Sequence, residues 1–121
     1  MEKKSKRYLL AILPLIFVAL FLLFSDKPYQ GTIKAATFSY SGTILADKPE
    51  GKGKITFTNG DVYTGNFKAG KMDGTGTYKT KTWSFTGNFS AGKVSGTGIL
   101  TTPDGRTHKT TFVQGVLQHA D

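Results

Sequence analysis

The sequence predicts an all-β protein, built of stacked antiparallel β-hairpins that form one extended twisted sheet, preceded by a single transmembrane helix. Three observations predict it. Residues 63–78, Y-T-G-N-F-K-A-G-K-M-D-G-T-G-T-Y, nearly recur at 85–100 as F-T-G-N-F-S-A-G-K-V-S-G-T-G-I-L, and a fixed period means stacked repeat units. Within each copy, aromatic residues and glycine alternate with threonine, asparagine and lysine, which is the period of a strand with one dry and one wet face. Residues 8–24 form a run of 17 without a charge, directly behind a basic head.

The head, residues 1–7, carries Lys3, Lys4, Lys6 and Arg7 against Glu2. As a helix, residues 8–24 would span roughly 25 Å at about 1.5 Å per residue. That is short for a hydrocarbon core of about 30 Å. Tyr8 at the interface and the long stems of Lys6, Arg7 and Lys27 can close the gap. Pro14 is tolerated in a lipid-embedded helix. The basic head predicts an N-terminus in the cytoplasm and the rest of the chain outside, in a single-pass cell-membrane protein. A cleaved signal peptide, which would leave a secreted protein, is the competing reading. The run is longer than a signal peptide's usual apolar region, and no small-x-small site follows it closely. Residues 25–37, with Pro28 and Gly31, have no apolar periodicity and read as a tether with little structure of its own.

From residue 38 the strands begin, and the repeat domain spans 38–121, in units near 40–62, 63–84 and 85–107 with a partial one at 108–121. Tyr63, Gly65 and Phe67 point one way, as do Gly74, Gly76 and Tyr78, while Val62, Thr64 and Asn66 point the other. Phe85, Gly87 and Phe89 repeat the split, and so do Gly53, Ile55 and Phe57. Lys68 to Asp73 contains the hairpin turn, and Asn59-Gly60 and Asp104-Gly105 join successive hairpins. The equivalent junction at Lys81-Thr82 is a residue shorter and must be built differently. A glycine beside a large ring leaves room for the ring to lie over the backbone. Rings of successive units can then form a row that no single hairpin could bury.

The spacing Y-x-G-x-F-x-x-G-x-x-x-G-x-G-x-Y, carried by Tyr63, Gly65, Phe67, Gly70, Gly74, Gly76 and Tyr78, resembles a membrane occupation and recognition nexus (MORN) repeat. Phe85, Gly87, Phe89, Gly92, Gly96, Gly98 and Leu100 match it with one aromatic swap and one aliphatic substitution. An earlier copy keeps Tyr40, Gly42, Gly51 and Gly53 but has Asp47 at the turn glycine. The last keeps Phe112 and Gly115, has His108 and Thr110 in place of the aromatic and the glycine, and stops before its second strand. These two look like degenerate end caps. The resemblance implies a ribbon of consecutive hairpins and a role in membrane-proximal organisation or protein contacts, with lipid binding proposed for some members.

The chemistry-bearing residues exclude more than they suggest. There is no cysteine, so no disulfide and no thiolate site is available. Gly65 to Lys71 and Gly87 to Lys93 read G-x-x-x-x-G-K, but Met72 and Val94 follow where a phosphate-binding loop needs a hydroxyl, and no helix pattern follows either. The G-x-G pairs lack the βαβ context of a dinucleotide site. Asn88-Phe89-Ser90 spells a glycosylation sequon, but Asn88 simply repeats Asn66. His108, His119 and the scattered aspartates fill no set of catalytic or metal-binding roles, so no catalytic residue, metal or cofactor is expected. A net charge of +8 favours anionic partners without marking a nucleic-acid binder. Lys48, Lys68, Lys71 and Lys93 fall in equivalent turns, which stacking would align along one edge. They are the candidate contacts to anionic lipid head groups or a cell-surface polyanion, against the plainer reading of solubility and edge protection. The sequence thus predicts a non-catalytic, membrane-anchored interaction module. A protein partner would use the end near Phe112 and Val116 or an unfilled strand edge.

Overall fold

The computed structural model describes residues 26–121. The expected helix at 8–24 and its basic head lie outside them, and among the described residues no helix is long and apolar enough to cross a membrane. Nine strands follow in chain order: β1 (Tyr29–Lys34), β2 (Phe38–Leu45), β3 (Lys48–Phe57), β4 (Val62–Lys68), β5 (Lys71–Lys79), β6 (Ser84–Ser90), β7 (Lys93–Thr101), β8 (Thr107–Val113) and β9 (Val116–Ala120). Each pairs antiparallel with the next, so strand order in the single sheet equals sequence order.

Two expectations need correcting at the ends. The tether is not structureless: β1 pairs along β2 from Tyr29 opposite Ile44 to Lys34 opposite Ser39. Its Gly31 and Ile33 sit opposite Gly42 and Tyr40, just as Gly53 and Ile55 do from the other side. β1 therefore behaves as the second strand of a further unit, and the exposed ladder of β2 supplies the partner. The last unit does not stop early either, because β9 completes its hairpin with Val113 opposite Val116.

The hairpin turns shrink to two residues with positive φ: Ala46-Asp47 (50° and 63°), Ala69-Gly70 (49° and 86°), Ala91-Gly92 (50° and 86°) and Gln114-Gly115 (49° and 80°). This is the turn whose twist matches the flanking strands. Asp47 takes the left-handed conformation that glycine takes elsewhere, which aspartate tolerates. The short junction after Tyr78 is closed by a hydroxyl, since the Thr82 and Trp83 N–H groups donate to Thr80 Oγ1 at 3.3 and 3.1 Å.

The core is a row of rings on one face. Tyr40, Ile44, Tyr63, Phe67, Phe85 and Phe89 are buried. The rings meet edge to face in an unbroken series: Tyr40 with Phe67 (5.0 Å), Phe67 with Tyr63 (5.1 Å), Tyr63 with Phe89 (4.9 Å), Phe89 with Phe85 (5.8 Å) and Phe85 with Phe112 (5.5 Å). Each unit's first ring rests on the second ring of the unit after it. Beneath them runs a line of paired glycines, Gly31–Gly42–Gly53–Gly65–Gly76–Gly87. Thr110, in a glycine's place, is buried and donates its hydroxyl to the Gly98 carbonyl at 3.1 Å.

The alternation fails at one repeated place. Between Gly65 and Phe67 the register of β4 against β5 shifts, and the same happens between Gly42 and Ile44. At this bulge Gly51 and Gly74 have φ of 74° and 92°. A Cβ on Gly74 would meet the Asn66 side chain at 3.3 Å, on the wet side. Gly74 therefore does not share the aromatic face with Gly76 and Tyr78, contrary to the expectation from two-residue counting, because a bulge offsets the pleat. The bulge also frees a carbonyl, and the tyrosine answers it: Tyr40 donates to Thr43 O at 2.7 Å and Tyr63 to Asn66 O at 2.8 Å.

Burial pushes the Tyr63 hydroxyl up to about 12, with Asp73 adding to the rise against the lowering bond to Asn66. Tyr78 is pushed up to about 12 by burial and by Asp61, which accepts its hydroxyl at 2.9 Å. Both folded values lie above the unfolded value of 10.0, so this stability is complete below pH 10 and is lost as pH rises toward 12. In a Tyr8→Phe, Tyr29→Phe variant, tyrosinate absorbance should rise together with loss of the β-sheet CD signal in that window. Complete ionisation with an intact CD signal would refute it.

Candidate functional site

The four predicted lysines do lie on equivalent turns. Lys48, Lys71 and Lys93 open β3, β5 and β7, Lys68 closes β4, and all four are exposed. The turns stack along one edge of the sheet. Lys48 lies with its stem 3.8–3.9 Å from where a Cβ on Gly70 would sit, and Lys93 at 3.7–3.9 Å from that of Gly115. Main-chain bonds fasten each turn to the hairpin before it: Gly70 N–H to Pro49 O at 3.0 Å, Gly92 N–H to Met72 O at 2.9 Å, and Gly115 N–H to Val94 O at 2.9 Å.

Sequence reasoning put Asp47 and Asp73 in turns but did not connect them, or Glu50, with the lysine edge. Glu50 accepts the Ala69 N–H at 2.7 Å, and Asp73 accepts the Ala91 N–H at 3.1 Å. With Asp47 in the first turn, three carboxylates face four lysines, so the edge is far less positive than the lysines alone suggest. The signal was present: Glu50 and Asp73 share one position of the repeat. Their role appears only when one hairpin lies against the next.

A second surface lies at the C-terminal end. β9 is exposed along its whole length. Val113, Val116 and Leu117 are 56%, 60% and 52% exposed, so apolar side chains concentrate here. A groove of about 410 Å³ is lined by Trp83, Phe85, Val94, Leu100, Thr102, Pro103 and Phe112, and Phe112 sits opposite Leu117 of β9. The outer edge of β9, V-L-Q-H-A, carries no lysine, proline or glycine, whereas β1 has Pro28 before it and contains Gly31 and Lys34. Lysine and proline are among the devices that guard free edges, as are short strands and bulges; β9 is only five residues long and its register against β8 shifts between Thr111 and Phe112.

The wet face holds an open groove of about 650 Å³ over Thr64, Asn66, Thr75, Thr77, Thr86 and Asn88, among others. Its polar groups largely satisfy one another: Thr77 and Thr86 hydroxyls are 3.0 Å apart, and Asn66 Nδ2 donates to Thr75 Oγ1 at 2.9 Å. The remaining candidates serve the fold. Asp104 accepts the Thr102 hydroxyl and the Arg106 N–H inside its turn, which holds its carboxyl below the ordinary value. His108 Nδ1 is 2.8 Å from Asp121 O, and His119 Nε2 is 2.8 Å from Asp121 Oδ1. Among the described residues no group of three His, Cys, Asp or Glu side chains is placed to hold a metal ion.

The repeat-defining residues thus build the ribbon, while the lysine edge and the β9 end present its chemistry. Comparison with known proteins agrees with this architecture. Residues 40–62, 63–84 and 85–105 each match the MORN repeat, together more than half of the chain. Alsin from Rattus norvegicus is 42% identical over 52 residues, which cover 42% of this chain and 3% of that protein. The chain thus spans only a small share of that relative's length. MORN repeats are interaction modules that are typically non-enzymatic, and by its three successive matches this chain belongs to the MORN repeat family.

Proposed function

We propose that the protein is a non-catalytic interaction module, anchored in the cell membrane by residues 8–24, whose repeat ribbon receives a protein partner at its C-terminal end outside the cytoplasm. The anchor rests on the uncharged run behind the basic head. The docking surface rests on one observation above all: β9 carries the exposed Val116 and Leu117, and Leu117 sits opposite Phe112, which lines a largely apolar groove. A partner strand would extend the sheet through main-chain hydrogen bonds, and its side chains would enter the groove.

Crosslinking and pull-down of the full-length protein from membranes tests this. The partner should survive high salt and be lost from a Val116→Lys, Leu117→Lys variant; equal recovery from that variant rules the end out. The same preparation tests the anchor, since full-length chain should be found in the membrane fraction. A mature N-terminus after residue 24 would overturn the anchor while leaving the docking surface untouched.

A second reading assigns the lysine edge to anionic lipid head groups or a cell-surface polyanion. Glu50 and Asp73 argue against a continuous strip, because each places a carboxylate at a junction between stacked turns. One junction, however, lacks its carboxylate.

A further inference from the structure

Three junctions along the turn edge are built alike, and one is incomplete. At all three the turn glycine's N–H donates to the strand before it, from Gly70, Gly92 and Gly115. The N–H of the residue ahead of that glycine is held by a carboxylate only twice, at Ala69 by Glu50 and at Ala91 by Asp73. At the third junction the carboxylate's position in the repeat is occupied by Ser95, and the residue equivalent to Ala69 and Ala91 is Gln114. The Gln114 N–H makes no hydrogen bond among the described residues.

The surroundings change in the same sense. Gln114 lines a recess of about 560 Å³ with Lys71, Ser90, Ala91, Lys93 and Ser95, and no acid lines it. Lys93 is brought over this turn by its stem, which lies against Gly115. The recess is therefore lined by two lysines, two serines and the turn residue whose N–H makes no hydrogen bond among the described residues, with Asp73 engaged at Ala91 on its far side. The two completed junctions show what this backbone arrangement accepts, which is a single anionic oxygen. Such bonds are about twice as strong as neutral ones.

We propose that the recess at Gln114 binds an oxyanion, a carboxylate or a phosphate, which takes the position that Glu50 and Asp73 fill at the two preceding junctions. Gln114 N–H donates to the anionic oxygen, Lys71 and Lys93 supply the countercharge, and Ser90 and Ser95 offer hydroxyl donors. The site narrows the lysine-edge reading from a strip to one turn, and it rests on that reading only for the sign of the ligand's charge. It needs neither the membrane anchor nor a partner on β9.

The test is an amide titration of the ¹⁵N-labelled full-length chain in non-ionic detergent at constant ionic strength. Inorganic phosphate and acetate are titrated separately. The Gln114 and Gly115 amides should shift saturably while that of Ala69, bonded to Glu50 and outside the recess, stays in place. A response to phosphate alone assigns the ligand as a phosphate; a response to both assigns any oxyanion. Lys93→Gln should weaken binding about fivefold, the effect of losing one nearby cation worth about 1 kcal/mol. Ser95→Asp should abolish the response by placing a carboxylate on the Gln114 N–H, and Asp73→Ala should confer a new response on Ala91. A Gln114 amide that drifts without saturating, or one that saturates equally in Ser95→Asp, overturns the site. Anionic-vesicle binding that is lost in Ser95→Asp would trace the lysine-edge reading to this pocket, and binding that persists would place it on the other lysines; the saturable Gln114 shift decides the pocket in either case.

Discussion

Gly76→Ala should destabilise the protein by about 3 kcal/mol, at the upper end of overpacking effects. The Cβ would meet Tyr63 ring carbons at 2.5 Å, and the Tyr63 side chain is wholly buried. The ring cannot move aside, because Phe67 and Phe89 meet it edge to face at 5.1 and 4.9 Å. Gly53 and Gly98 stand in the same relation to Tyr40 and Phe85, so alanine there should cost a similar amount. Gly92→Ala is the control. Nothing lies within 4 Å of its Cβ position, but its φ is +86°, so only the left-handed backbone penalty of about 1–2 kcal/mol applies. Thermal unfolding followed by CD separates the two. For a domain of this size, 3 kcal/mol corresponds to a drop in Tm of roughly 15 °C. If Gly76→Ala melted at or above Gly92→Ala, the ring-over-glycine account of the core would fail.

Tyr63→Ala should cost about 4 kcal/mol, within the range for removing a large buried ring. It breaks the series of rings at its centre, where Tyr63 touches both Phe67 and Phe89, and leaves the Asn66 carbonyl without the hydroxyl it accepts. Tyr63→Phe isolates that second part and should cost about 1 kcal/mol. Phe85 already occupies the equivalent place without a hydroxyl and remains buried. Because each unit contacts only its neighbours, the damage should spread by losing the junction rather than one contact. Hydrogen exchange should show protection falling in β3, β4, β5 and β6 together, beyond the strand carrying the substitution. Loss confined to β4 would mean that the rings do not couple the units.

Much of this was legible in the residues because it is local. The spacing of Tyr63, Gly65 and Phe67, and its return at Phe85, Gly87 and Phe89, specifies strands whose rings share a face, and all four rings are buried. Asn59-Gly60 and Asp104-Gly105 mark turns, with φ of 93° and 82° at the glycines. β1 escaped because it keeps only Gly31 and Ile33 of the pattern, behind a proline. The pleat of Gly74 was misjudged because one bulge offsets everything beyond it, and a bulge is a property of two strands. The candidate lysines were placed on the correct edge, but their electrostatic setting was not legible, since Glu50 and Ala69 are 19 residues apart.

The sequence by itself determined the period, the residues that form each hairpin, and which face holds the rings, since strand alternation and positive-φ turns are decided within a few residues. Only the tertiary structure decided that β2 captures residues 29–34, that the turns stack, and that a carboxylate from one hairpin closes the turn of the next at two junctions but not at Gln114. Those outcomes depend on the offset between neighbouring hairpins, which bulges and ring packing set together. No single segment carries that information.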